Sequence, residues 1–293
     1  TCALPISTEE KLIPKITADQ KLQDYDPASK SYNRSFKFLR SDSSVAYLKI
    51  KSFSATYARK FYDQTFKKIK TAGSQYLIID VRDNLGGSLS EINNLYSYLT
   101  DQKFTLIKPP EMTSKTSGLH QNYFRGQSFF TGILSAPAYP FFLAGNYFLS
   151  SKKDQKYFFR EFASRPTKPK ENAFLGKIYI LVNGASFSAS AVLSAKLKYE
   201  KRALIVGEET GGANDGTVAG VNNTVVLPNS NLRLPIGLFV IRPNIVFDGK
   251  NRGVIPHFTV DPNYDDIFGT DDKILDWTLA DIDFRNAITK QSN

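Results

Sequence analysis

Two six-residue runs constrain this chain more than any other feature: Tyr76-Leu77-Ile78-Ile79-Asp80-Val81 and Lys177-Ile178-Tyr179-Ile180-Leu181-Val182. Alternate side chains of a strand point to opposite faces, so a nearly continuous apolar run needs cover on both sides. Each run passes through a small-residue turn into helical spacing. After the first come Leu89, Ile92, Leu95, Tyr96 and Leu99 on one stripe, and after the second a small-residue helix from about Ser188 to Lys198. Upstream, Val45 to Ile50 alternates as a strand does, and Tyr57 to Ile69 places Phe61, Phe66 and Ile69 on one helical face. A third buried strand, Ala203 to Val206, ends at Gly207. Repeated strand-helix units of this kind predict an α/β fold around a covered sheet.

The remainder frames that core. Residues 1–44 are polar and weakly periodic and read as a linker or the remnant of a truncated N-terminal region, with 45–293 as one domain. Between Asp101 and Asn172 lies an insertion rich in Phe, Tyr, Pro and Lys, expected to be mostly helical. It leaves the core after the helix that follows Gly87 and returns at the strand leading to Ser188. Rings such as Phe129, Phe130, Phe141 and Phe148 then suit one wall of a groove, the alternative being a self-contained helical subdomain on the far face. Thr217 to Arg242 reads as short strands, a β-rich C-terminal part, and Asp272 to Ile282 as a closing helix.

Composition removes several function classes. The chain has 293 residues, 41% of them hydrophobic, but no apolar run of the length a membrane span needs; Tyr139 to Leu149 is the longest candidate. One cysteine, Cys2, and two histidines, His120 and His257, leave no disulfide framework or zinc motif, so neither metal nor cofactor is expected. Lys and Arg exceed Asp and Glu by 38 − 28 = 10. The excess is spread as pairs such as Lys67-Lys68 and Lys152-Lys153 without a basic stripe, which argues against a nucleic-acid partner. Thr1 to Ile6 reads as translated adapter sequence and the chain as N-terminally truncated; Cys2 as the lipidated residue of an exported lipoprotein is the other reading.

Two segments carry candidate chemistry. In Gly184-Ala185-Ser186-Phe187-Ser188-Ala189-Ser190 a buried strand becomes a helix, where helix-start N–H groups favour developing negative charge beside a serine. In Asp80-Val81-Arg82-Asp83-Asn84-Leu85-Gly86-Gly87 two glycines follow a buried strand and expose N–H groups without side chains in the way. Each alone reads equally as a capped helix start and a Gly-rich turn. Together they suggest a nucleophile beside an oxyanion hole built from Gly86, Gly87 and Ala189.

The sequence resembles the tail-specific, or carboxyl-terminal processing, serine peptidases, relatives of the tricorn core protease and of interphotoreceptor retinoid-binding protein. Tyr76 to Gly87 is similar to that family's strand ending in Asp-x-Arg-x-Asn-x-Gly-Gly, and Lys177 to Ser190 to its nucleophile strand and turn. Gly207 to Gly212 resembles its Gly-x-x-Thr block, Leu227 to Ser230 the following hairpin, and Arg252 to Pro256 its Gly-x-x-Pro turn. The resemblance implies a crotonase- or ClpP-like core, a polypeptide substrate, export to the periplasm or cell surface, and Ser188 as nucleophile, with Ser186 and Ser190 supporting it.

The departures are chemical. Ala213 stands where the processing peptidases place a general-base Lys, so a Ser-Lys dyad is absent. In the tricorn-like branch the base is an upstream His, and this chain has none before His120. Asp248, sixty residues after Ser188, is the carboxylate nearest to that branch's acid. His257 follows the Pro of the last turn, where the family usually has Asp, and reads as a hydrogen-bonded structural histidine. The expected function is a serine-type peptidase of the tricorn-like branch forming an acyl-enzyme on Ser188, truncated and lacking its base. The alternative is a non-catalytic binding module of the same fold for a peptide, glycan or apolar ligand.

Overall fold

The two apolar runs lie side by side in the middle of a six-stranded sheet. The computed structural model describes residues 16–112, 128–160, 164–246, 252–261 and 271–291. Its strands are β1 (Tyr25–Asp26), β2 (Ser31–Tyr32), β3 (Arg34–Phe38), β4 (Val45–Ile50), β5 (Tyr76–Asp80), β6 (Glu111–Met112), β7 (Ser150–Lys153), β8 (Lys156–Phe159), β9 (Lys177–Val182), β10 (Ala203–Gly207), β11 (Thr217–Val226), β12 (Arg233–Ile241) and β13 (Phe258–Thr259). Its helices are α1 (Ala18–Leu22), α2 (Ala58–Ala72), α3 (Leu89–Tyr96), α4 (Phe129–Ser135), α5 (Tyr139–Leu149), α6 (Ala189–Tyr199) and α7 (Lys273–Gln291).

The main sheet runs β13-β10-β9-β5-β4-β3, parallel throughout except for β3. Period-two alternation sorts its side chains between two cores. Leu77 and Ile79 of β5 and Ile178, Ile180 and Val182 of β9 join Phe61, Phe66, Leu95 and Leu193 of α2, α3 and α6 in one apolar cluster. Tyr76, Ile78, Tyr179 and Leu181 join Ile274 and Ile282 of α7 in the other. Cover on both faces is the condition the continuous apolar runs imposed.

The expected linker is where the structure differs most from the sequence reading. From residue 16 onward it is folded: α1 carries a Thr17/Gln20 capping box, β1 and β2 form a hairpin, and β3 is the antiparallel edge of the main sheet. Arg34 of β3 is wholly buried, pairs with Glu91 of α3 at 3.2 Å, and donates to the Thr56 carbonyl. Glu91 also accepts from Tyr62 Oη at 2.7 Å and from the Ala55 N–H at 2.6 Å. A charged residue at the buried position hid this strand from a hydrophobicity pattern.

The insertion supplies the expected helices and, in addition, three strands. β6, β8 and β7 extend the β11–β12 hairpin into a second, five-stranded sheet ordered β11-β12-β6-β8-β7. Met112, Phe159 and Phe239 form its small core, with the Phe159 and Phe239 rings stacked at 5.2 Å. Before β6, Leu106 and Ile107 are buried in the larger core of the main sheet. The closing helix runs to Gln291, well past the expected Ile282.

Candidate active site

Both chemistry-bearing turns leave the carboxyl ends of neighbouring parallel strands, β5 and β9, the edge at which open α/β sheets leave room for a ligand. Hydrogen bonds tie them to one another. Asn183 donates to Asp83 Oδ1 at 2.8 Å and its own Oδ1 accepts from the Asp83 N–H at 3.0 Å. Ser186 Oγ donates to the Val81 carbonyl at 2.8 Å, and the Asn84 carbonyl accepts from the Phe187 N–H at 2.9 Å and from Ser190 Oγ at 2.8 Å. Ser186 and Ser190, both wholly buried, therefore position the turn.

Between them stands Ser188, at the junction of the β9 turn and α6. Its backbone has φ 49° and ψ −114°, a conformation that costs a non-glycine residue on the order of 1–3 kcal/mol. Strain of this kind is how sharp strand-to-helix turns present a serine outward. Its hydroxyl makes no cap bond to the helix it precedes and has no partner among the described residues.

The glycine turn touches it directly. Gly86 has φ 110°, and a Cβ built there would lie 2.8 Å from Ser188 Cβ and 3.0 Å from the Ala189 nitrogen. Only glycine fits at that distance and that φ. Gly86 gives its N–H to Asn84 Oδ1 at 2.8 Å, whereas the N–H groups of Gly87 and Ala189 have no partner among the described residues. Asn84 is wholly buried, and its amide also donates to the Ile50 carbonyl at 2.9 Å. Gly212, from the Gly-x-x-Thr block, closes the other side: its N–H donates to the Ser186 carbonyl at 3.1 Å, and a Cβ there would come within 2.8 Å of the Ser188 nitrogen. Thr210 Oγ1 accepts from the Val254 N–H at 2.8 Å, which fastens that block to the Gly-x-x-Pro turn.

Charge is organised behind the turn. Burial pushes the Asp80 carboxyl up, but Arg82 at 2.7 Å, Lys49 at 3.0 Å and Tyr47 Oη at 2.6 Å outweigh it and hold the group below the ordinary range. Arg82 reaches on to Asp272 at 2.6 Å, and burial of Asp272 is likewise outweighed by this guanidinium. Asp272 in turn accepts from the Leu275 N–H at 3.1 Å in the first turn of α7. The Asp and Arg of the first motif thus anchor the turn to the far-face helix.

Of the other sequence candidates, Asp248 and His120 lie outside the described residues. Ala213 forms a β-bridge with Gly253 and brings no base. His257 lines a cavity with Gln75, Lys177, Arg202 and Ala203 at the opposite end of the strands from Ser188. Its Nδ1 accepts from the Ile205 N–H at 2.9 Å, and burial, with Lys198, lowers its pKa. A second cavity, of about 810 Å³, begins at Leu89 and Ser90 just beyond Gly87 and runs between α2, α3 and the insertion past Asn93, Ile107 and Arg165.

The Peptidase family S41 model matches residues 44–260. The chain belongs to peptidase family S41. Among solved structures, this S41 chain is similar to a candidate peptidase of Parabacteroides merdae, with 19% identity, 85% of this chain and 64% of that one covered, and a TM-score of 0.50. A candidate S41 protease of Bacteroides fragilis gives 16% identity, 85% and 57% coverage and a TM-score of 0.52. Mature CPAF complexed with lactacystin gives 18%, 80%, 51% and 0.50. These likenesses carry the fold. The S41 chain spans only 51% to 64% of the length of these three structures. No curated protein sequence matches it.

Proposed function

We propose that this chain is a serine peptidase acting on polypeptides through an acyl-enzyme on Ser188. The observation that carries the reading is the strained Ser188, its hydroxyl unpartnered, packed on Gly86 and beside the open N–H of Ala189. Ser188 Oγ attacks a peptide carbonyl, the carbonyl oxygen becomes negative, and the N–H groups of Gly87 and Ala189 at the start of α6 receive that charge. Gly86 is the flat floor that brings the two turns together. The amine departs with a proton, and water then releases the acyl group. The cavity beginning at Leu89 and Ser90 suits the extended substrate. Asp248 is the acidic member of the proposal, and export to the periplasm or cell surface as a tricorn-like S41 enzyme belongs to it as well.

Nucleophile activation requires a base, and among the described residues none is hydrogen-bonded to Ser188. That observation favours a second reading, a binding module of the same fold for a peptide, glycan or apolar ligand. The test is hydrolysis of casein and fluorogenic peptides by this chain and by one extended upstream to the next histidine, with labelling by a fluorophosphonate mapped by mass spectrometry. The peptidase reading expects weak turnover by this chain, strong turnover by the extended one, and loss of both turnover and label in Ser188→Ala. Peptide binding without turnover or label in either form establishes the binding module instead.

A further inference from the structure

From Phe129 to Leu149 the backbone is helical, α4 passing through a single 3-10 turn at Ala136–Ala138 into α5. This segment keeps none of its large apolar side chains fully from water. Phe129, Phe130, Leu134, Phe141 and Phe148 are 78%, 81%, 83%, 79% and 76% exposed, and Asn146 is the buried residue of the two helices. A Cβ added at Gly132 or Gly145 would meet nothing within 4 Å, so no described element packs against those two positions. A helix of this composition is at home only where an apolar medium surrounds it.

Three features identify that medium as a lipid surface. Ser128 to Ser151 contains no Asp, Glu, Lys or Arg, whereas the rim of a protein interface is polar and charged. Four of its polar side chains bond to the segment's own backbone. Thr131 Oγ1 donates to the Ser128 carbonyl at 3.0 Å, Ser135 Oγ to Gly132 at 3.1 Å, Asn146 Nδ2 to Phe142 at 2.8 Å and Ser150 Oγ to Asn146 at 2.8 Å. Such satisfaction is what a low-dielectric environment demands. Exposed Lys152 and Lys153 follow at once in β7, with no acidic partner among the described residues, on a chain of net charge +10. Basic residues beside an apolar helix are complementary to anionic headgroups.

We propose that α4 and α5 form a monotopic anchor, lying in the interface of a membrane that carries anionic lipid, with Phe129, Phe130, Leu134, Phe141 and Phe148 among the acyl chains and Lys152 and Lys153 at the headgroups. No helix among the described residues is long and apolar enough to cross a membrane, so the segment rests in the surface.

The experiment is co-sedimentation of the full chain with vesicles of phosphatidylcholine, with and without a minority of phosphatidylglycerol. Binding is expected, strengthened by phosphatidylglycerol and weakened by salt. Phe130→Ser/Leu134→Ser/Phe141→Ser should weaken it by well over tenfold, since each buried ring or leucyl chain contributes about tenfold in partitioning. Lys152→Glu/Lys153→Glu should remove the preference for phosphatidylglycerol. A Phe141→Trp protein gives a readout free of folding defects: lipids brominated on the acyl chains should quench its added fluorescence. Failure to bind either vesicle, or binding without quenching, overturns the proposal. So does self-association abolished by the serine variant in a protein that ignores vesicles, which would make a second copy the occupant.

Discussion

Replacing Asn84 by alanine tests the architecture of the turn at a single side chain. The amide is wholly buried and makes two bonds, accepting from the Gly86 N–H at 2.8 Å and donating to the Ile50 carbonyl at 2.9 Å. Asn84→Ala leaves both backbone groups without a partner, each costing about 1–3 kcal/mol when buried, so a loss of about 2–6 kcal/mol is expected. Urea unfolding followed by circular dichroism reads this as a lower midpoint at unchanged slope. Asn84→Asp sharpens the test. Its carboxylate still accepts from Gly86 but faces the Ile50 carbonyl, so burial and that carbonyl raise its folded pKa. Stability should then be poor at neutral pH and recover as pH falls through the raised value, because the protonated acid can donate to Ile50. If Asn84→Ala unfolds within about 0.5 kcal/mol of wild type, the scatter of ordinary surface changes, Asn84 is not what holds the two turns in register.

Gly86→Ala should fold but slow fluorophosphonate labelling of Ser188 by about a hundredfold, because its Cβ would lie 2.8 Å from that of Ser188 and displace it; labelling at the wild-type rate would refute the contact. His257 should make the protein less stable as pH falls below its ordinary value of 6.5, since the unfolded chain takes up the proton first. In His257→Asn, whose Oδ1 can accept from Ile205, thermal melts across that range should lose this slope. Arg82→Met removes one of the two cations beside buried Asp80 and leaves Lys49 at 3.0 Å, so a cost below the about 3–5 kcal/mol of a fully unpaired buried charge is expected at neutral pH, shrinking as Asp80 is protonated. In wild type the Asp80 and Asp272 contribution is fully present above the ordinary aspartate value of 3.8 and lost below it, as acid titration of the melting temperature would report.

The sheet was readable because its burial is written in contiguous residues. A strand covered on both faces has no polar position to dilute the signal, and β5 and β9 fall where the apolar runs stand. The Ser188 turn was readable because small residues after such strands have few structural uses. Asn84 and Gly212 were not singled out, since their importance lies in what they touch across the fold. The polar residues Asp80, Arg82 and Asn84 where β5 ends were the available signal: Asp80 and Arg82 pair with one another, Arg82 reaches Asp272, and Asn84 takes the Ile50 carbonyl. β3 was missed because Arg34 finds its counter-charge in Glu91, fifty-seven residues away. The β6–β8 strands were missed because they are two to four residues long, and β6 in addition takes one of its partners from a hairpin far along the chain.

That hairpin sets an order of events. Glu111 pairs with Phe158 of β8 on one side and with Val240 of β12 on the other, so the β6-β8-β7 piece waits for 240 − 158 = 82 further residues before its second neighbour exists. The units from β4 to α3 close through neighbouring residues and can form while synthesis continues, whereas the second sheet carries the loop-closure entropy of the whole intervening chain. During that interval Met112 and Phe159 are already out of the ribosome, with β6, β8 and β7 able to pair and no Phe239 to cover them. The nascent protein is therefore at its stickiest just before Arg233 to Ile241 emerges, and a translational pause placed there would raise aggregation more than one placed anywhere in the first half of the chain.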